Sequence, residues 1–252
     1  MDIAEGKTLG KSDVSKFGRN PDCDQAASTT AVPVGRDVWD GGIAGATAWV
    51  PPTAARIHAI ISSNDEDGGA GGDTGALTMR VFGLDAAYAL QQEDVTLNGT
   101  TTGNTAKSYT MIYRMRCLTF GSAGRNLGAI TATAASDGTV TAKITADMNQ
   151  TLMAIYQIPA GMVGKVTAWR GDLLKAGGAA KFANFHLMSM EFGAGWRVRD
   201  SASVASDGNN SFEHCYVSYK SLEAKEYVKS VANPSADAQD CGSGFDITLI
   251  KV

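Results

Sequence analysis

The chain has 252 residues, 44% hydrophobic and 19% charged, with a formal net charge of −4. That length buries a core without metal or disulfide staples, and a slightly acidic balance with no basic stripe argues against nucleic acid as a direct partner. No run approaches the ~18 apolar residues of a membrane span and the first residues lack a secretory-signal pattern, so a soluble intracellular product without membrane contact is expected.

Residues 1–50 are polar and interrupted. Asn20-Pro21 is a turn signal, and Asp40-Gly41-Gly42 is a second. Residues 1–12 fit a tail, whereas Phe17, Trp39 and Trp49 are single large anchors that such a segment cannot bury alone. The reading is an extended N-terminal arm over 1–50 that lies along its own domain or along a neighbouring subunit, with Phe17, Trp39 and Trp49 as assembly anchors.

From residue 51 the pattern becomes that of strands, and 51–252 reads as one β-sandwich domain. Arg56–Ser62 is followed by an acidic glycine loop and then by Ala76–Gly83, where Leu77, Met79 and Val81 alternate with Thr78, Arg80 and Phe82. Tyr109–Leu118 alternates in the same way. Gly128–Ala134 and Thr139–Thr145 flank Asp137-Gly138, the strongest short hairpin signal in the chain. Thr151–Ile158 and Val163–Arg170 flank Pro159-Ala160-Gly161, where proline presets φ and glycine accepts a positive one, and a central hairpin is expected. Ala180–Phe192 and Trp196–Arg199 form a further hairpin across Gly193-Ala194-Gly195. Phe212–Tyr219, Tyr227–Val231 and Gly244–Val252 complete the set. Short strands at this spacing predict an all-β fold, an antiparallel, jelly-roll-like β-sandwich, with under about 10% helix.

No motif brings catalytic chemistry with it, and an enzyme is not expected. The loop Asn64–Asp73 is oxygen-rich but lacks the spacing of a calcium loop. His58, His186 and His214 fall in no metal-ligand spacing, and no Gly-x-Ser-x-Gly elbow occurs, so neither a metal nor a cofactor is expected. Trp39, Trp49, Trp169 and Trp196 are the side chains on which a sugar would stack, although Trp169 and Trp196 lie in strand patterns and Trp39 and Trp49 in the arm.

Cys23, Cys117, Cys215 and Cys241 show no Cys-x-x-Cys spacing. Cys117 and Cys215 lie in strand patterns and read as small buried hydrophobes. Cys23, beside a turn in a polar stretch, and Cys241, before Gly242-Ser243-Gly244, read as exposed thiols able to form a disulfide between subunits.

Several segments together resemble a family of structural proteins of tailed-bacteriophage virions. They are Phe17-Gly18-Arg19-Asn20-Pro21-Asp22, Asp37-Val38-Trp39-Asp40-Gly41-Gly42, Val81-Phe82-Gly83-Leu84-Asp85, Val95-Thr96-Leu97-Asn98-Gly99-Thr100, the central hairpin and Gly244-Phe245-Asp246. The resemblance runs over most of the chain from Phe17 onward and transfers no active-site residue. It implies a β-sandwich virion component of the head, neck or tail, made in the host cytoplasm and partnered by copies of itself and by other virion proteins. A neck or collar position is expected, with capsid decoration as one alternative. A carbohydrate-binding module for host attachment is another, and a polysaccharide hydrolase is a weaker third.

Overall fold

The computed structural model describes residues 11–25, 35–41, 48–174 and 181–252. Among these the chain is all-β, with antiparallel sheets and no helix, and it is built as β-sandwiches. The tail expected over 1–12 lies almost wholly outside the described residues.

Two compact units replace the expected division at residue 50. Unit 1 combines the described residues up to Ala48 with Met153–Val252, and unit 2 is Trp49–Leu152. Unit 2 is therefore inserted in the sequence of unit 1, whose first and last strands pair with each other. Sequence patterning shows no linker at either junction, which is why a single sandwich was expected there.

In unit 1 the chain begins with β1 (Lys11–Cys23) and β2 (Arg36–Asp37). Unit 2 supplies β3 (His58–Ser62), β4 (Ala76–Leu84), β5 (Leu90–Thr96), β6 (Gly103–Asn104), β7 (Met111–Phe120), β8 (Ile130–Ala134) and β9 (Val140–Ile144). Unit 1 resumes with β10 (Ile155–Gln157), β11 (Met162–Leu174), β12 (Phe182–Met190), β13 (Arg197–Ala205), β14 (Ser211–Leu222), β15 (Tyr227–Pro234) and β16 (Gln239–Lys251).

One sheet of unit 1 runs β1-β16-β11-β14, and the other runs β10-β15-β12-β13 with β2 also on β15. The unit buries Val14, Trp39, Tyr156, Trp169, Phe185, Leu187, Val231, Phe245, Ile247 and Leu249. A short polar chain crosses this core. The Trp169 indole donates to Ser230 Oγ at 3.1 Å, Ser230 and Ser243 hydroxyls meet at 2.6 Å, and Ser243 Oγ donates to the Arg170 carbonyl at 2.7 Å. Every polar atom in that chain has a partner, which is the condition for burying it without a large desolvation cost.

The described residues of the expected arm up to Ala48 belong to this unit, and Trp49 begins unit 2. β1 pairs with β16 along nearly its whole length, and β2 pairs with β15. The Phe17 carbonyl accepts from Met153 N at 2.8 Å, and the Val38 carbonyl accepts from Ala154 N at 3.0 Å. Gly18 is required at that crossing, because a Cβ there would lie 2.2 Å from the Val38 carbonyl oxygen. The Asn20-Pro21 signal is a β-bulge, with the β1–β16 register shifting between Asn20 and Cys23.

The central hairpin is also corrected. The chain does reverse at Pro159-Ala160-Gly161, where Gly161 has φ of 71°. β10 and β11 do not pair, however; β10 joins β15 in one sheet, and β11 lies between β16 and β14 in the other. The turn carries the chain from sheet to sheet, a corner that local turn chemistry cannot distinguish from a hairpin. The hairpins expected at Asp137-Gly138 and at Gly193-Ala194-Gly195 form as β8–β9 and β12–β13.

Unit 2 is a smaller sandwich, with sheets β6-β3-β8-β9 and β5-β4-β7. Its core contains Ile60, Met79, Val81, Tyr109, Ile112, Met115, Ile130 and Ile144. Trp49 is buried at its start and donates its indole N–H to the Thr141 carbonyl at 2.9 Å.

Candidate functional site

Strands β13 and β14 each end a sheet of unit 1, and among the described residues neither has a strand on its other side. An uncovered edge offers free backbone donors and acceptors, so what the chain places there decides whether the edge is blocked or used. Here the edge of β14 is reshaped by an irregular register. Val166 on β11 pairs with Lys220 and Ala168 pairs with Cys215, so Tyr216, Val217, Ser218 and Tyr219 stand opposite Thr167 alone. The surplus residues project as a bulge, where Val217 is 100% exposed and Tyr219 57%. Val198 on neighbouring β13 is 48% exposed.

A polar cluster braces this apolar knob from beneath. The Tyr216 hydroxyl donates to Asp200 Oδ2 at 2.6 Å, and His214 Nδ1 lies 3.3 Å from the same oxygen. Lys220 Nζ stands 3.6 Å from it and donates to the Arg199 carbonyl at 2.8 Å, while Arg199 donates to the Ser221 carbonyl at 2.8 Å. Burial by itself would raise the Asp200 carboxyl. The bonds from Tyr216, Ser201 N and His214, with the charge of Lys220, outweigh it and hold the group below its ordinary value. Burial and the same bond push the Tyr216 phenol up, so at neutral pH it remains a donor. The cluster gathers donors round one anion, with Tyr216 and Lys220 anchoring the two ends of the bulge.

The residues singled out from the sequence do not gather at this place. Phe17, 43% exposed on the outer face of β1, lines a shallow cleft of about 300 Å³ with Arg170, Asp172 and Glu213. Trp39 is buried in unit 1 and Trp49 in unit 2, so neither is left to dock on a neighbour. Trp169 is a core residue, and the partly exposed Trp196 has Lys229 Nζ over its ring at 4.3 Å, which leaves no open row of tryptophans for stacking sugars.

Cys23 and Cys241 are both fully buried, which corrects their expected role as exposed thiols linking subunits. Cys117 is buried as expected, and burial pushes its thiol up to about 12. Cys215 is exposed rather than buried.

In the acidic loop each carboxylate is taken up by neighbouring donors. Asp67 is fully buried and accepts from Ser62 Oγ, Ala76 N, Leu127 N and Gly128 N at 2.7–2.9 Å. Glu66 accepts from Thr74, Asp73 from Ala70 N, and Asp65 from Thr100. Among the described residues no three His, Cys, Asp or Glu side chains stand together as a metal site would require.

Neither a family model nor a curated protein matches the chain. Among solved structures, the VP2 subviral particle of infectious bursal disease virus aligns with a TM-score of 0.23 at 10% identity, over 99% of this chain and 74% of that one. The structure of the Gt strain of the same virus aligns at 0.20 and 10% identity, over 99% and 75%. Both scores lie below the level of a shared fold.

The knob was not legible in the sequence. Phe212–Tyr219 reads as a plain strand, and only the pairing of β14 with β11 forces Tyr216–Tyr219 outward.

Proposed function

We propose that this protein is a structural component of a tailed-phage virion that assembles in multiple copies through the β13–β14 edge. The observation that carries the reading is the knob, which leaves Val217 and Tyr219 exposed beside an exposed Val198 and is flanked by the hydrogen bonds of Tyr216 and Lys220. Leaving Val217 wholly in water gives a monomer no burial energy, whereas a second copy packed on it recovers about 1.5–3 kcal/mol for a side chain of that size. The sequence resemblance to virion structural proteins supports the same reading, and it favours a neck or collar position, with capsid decoration the alternative.

A second reading, attachment to host glycans, has the Phe17 cleft in its favour, where an exposed ring lies beside Arg170, Asp172 and Glu213. It places ligand binding on the sheet of β1, β16, β11 and the start of β14 instead of on the Tyr216–Tyr219 bulge.

Two measurements test the proposal. Quantitative mass spectrometry of purified particles is expected to find the chain at several copies per particle, and sedimentation of the isolated protein is expected to show self-association that Val217→Glu weakens. A chain absent from particles and monomeric at all concentrations sinks the reading. Glycan-array binding lost in Phe17→Ala would move the function to the cleft.

A further inference from the structure

Cys23 and Cys241 sit on adjacent strands, β1 and β16, at the end of the sheet where β1 carries its bulge. Along β1 the inward positions are Val14, Lys16, Gly18 and Asn20, so strict alternation would turn Cys23 outward with Phe17 and Arg19. The bulge at Pro21-Asp22 adds one residue and changes the parity, and Cys23 enters the core. Cys241 follows Phe245 and Ser243 inward on β16. Asn20 faces Cys241 and Cys23 faces Gln239, which makes the two cysteines diagonal neighbours, both fully buried. Cys23 Sγ lies 3.7 Å from the Ala232 carbonyl oxygen.

We propose that Cys23 and Cys241 form a disulfide within one chain, locking the first described strand to the last. With a low-molecular-weight disulfide such as oxidised glutathione as oxidant, the thiolate of one cysteine attacks a glutathione sulfur. One glutathione thiolate leaves, and a mixed disulfide remains. The second cysteine thiolate attacks the protein sulfur of that bond and expels the second glutathione. The two cysteine protons end on the two glutathione thiols, so two cysteines are oxidised as one oxidised glutathione is reduced.

Contact with Cys23 and burial push the Cys241 thiol up, which slows thiolate attack in the folded protein. Exchange therefore proceeds during folding, or when β1 opens locally, since that edge strand has a partner on one side only. The bond closes a loop of nearly the whole chain and joins segments on either side of unit 2 in the sequence. It restrains the unfolded ensemble strongly.

The test uses the full chain, reduced and then exposed to oxidised glutathione both when folded and during refolding from urea. Free thiols are blocked with N-ethylmaleimide, and the protein is digested without reductant. The expected result is a linked Cys23–Cys241 peptide pair, blocked Cys117 and Cys215, monomeric migration without reductant, and a higher thermal midpoint than the reduced chain. Cys215→Ser keeps that upward shift, and Cys241→Ala abolishes it. Peptide mapping of the unsubstituted chain decides the matter even where Cys241→Ala fails to fold. Blocked Cys23 and Cys241 after both treatments, or a link from either to a second chain, overturns the proposal.

Discussion

The Tyr216 hydroxyl donates to the Asp200 carboxylate at 2.6 Å and so ties the last strand of one sheet of unit 1 to the last strand of the other. Tyr216 also begins the four-residue bulge, so the same bond that closes the sandwich edge fixes the direction of Val217. Replacing Tyr216 with Phe keeps the ring and removes the donor. The expected cost is about 1 kcal/mol, read as a lower urea midpoint, together with weaker self-association. Unchanged values for both would show that the bond does not brace the knob.

Val217→Glu separates assembly from folding. The side chain is wholly in water, so the thermal midpoint should stay within error of the unsubstituted chain. Placing an unpaired charge in the centre of a contact should weaken self-association about tenfold or more, measured by sedimentation equilibrium.

Asp67 is the centre of the acidic loop of unit 2 and takes four donors while fully buried. Asp67→Ala leaves those donors without an acceptor and is expected to lower stability by about 3 kcal/mol or more in urea unfolding. Added calcium is expected to leave the midpoint of the unsubstituted chain unchanged, because the loop carboxylates already hold backbone and hydroxyl donors.

His58 gives unit 2 a pH dependence. Its Nδ1 lies 3.0 Å from the Arg56 carbonyl, its ring meets Tyr109 edge-on, and Nε2 is buried with no hydrogen-bond partner among the described residues. Burial is the main cause that pushes its pKa down to about 4; the Arg56 carbonyl and the charge of Asp137 act the other way. The unfolded chain takes up a proton near the ordinary value of about 6.5, and the folded chain resists until about 4. Stability from this residue is therefore complete above about pH 6.5 and lost as pH falls towards 4, by about 3 kcal/mol at most. The urea midpoint of the unsubstituted chain should fall across that window more steeply than that of His58→Gln. Parallel curves would reject the assignment.

Period-two patterning named β4, β7 and β16, because a half-buried strand must alternate whatever its partner, and it missed β1, which was read as an arm, and β5. Ala76–Gly83 and Gly244–Val252 are strands for that reason, and Asp137-Gly138 closes a hairpin because its backbone preference is local. The candidate site was out of reach of the same argument. A bulge is a mismatch between two strands, so Tyr216–Tyr219 protrudes only because Thr167 of β11 stands opposite, and Cys23 turns inward only because β16 holds its register across Pro21-Asp22.

The sequence by itself determined the secondary-structure class and the reversals at Asp137-Gly138, Pro159-Ala160-Gly161 and Gly193-Ala194-Gly195, which follow from short-range sterics and alternation. Tertiary structure alone decided that Pro159-Ala160-Gly161 changes sheets, that residues 11–23 complete unit 1 beside β16, and that Trp39 and Trp49 are buried in different units. Each of these depends on which distant strand supplies the missing hydrogen bonds and apolar cover. That choice is made by the whole chain, and no window of a few residues contains it.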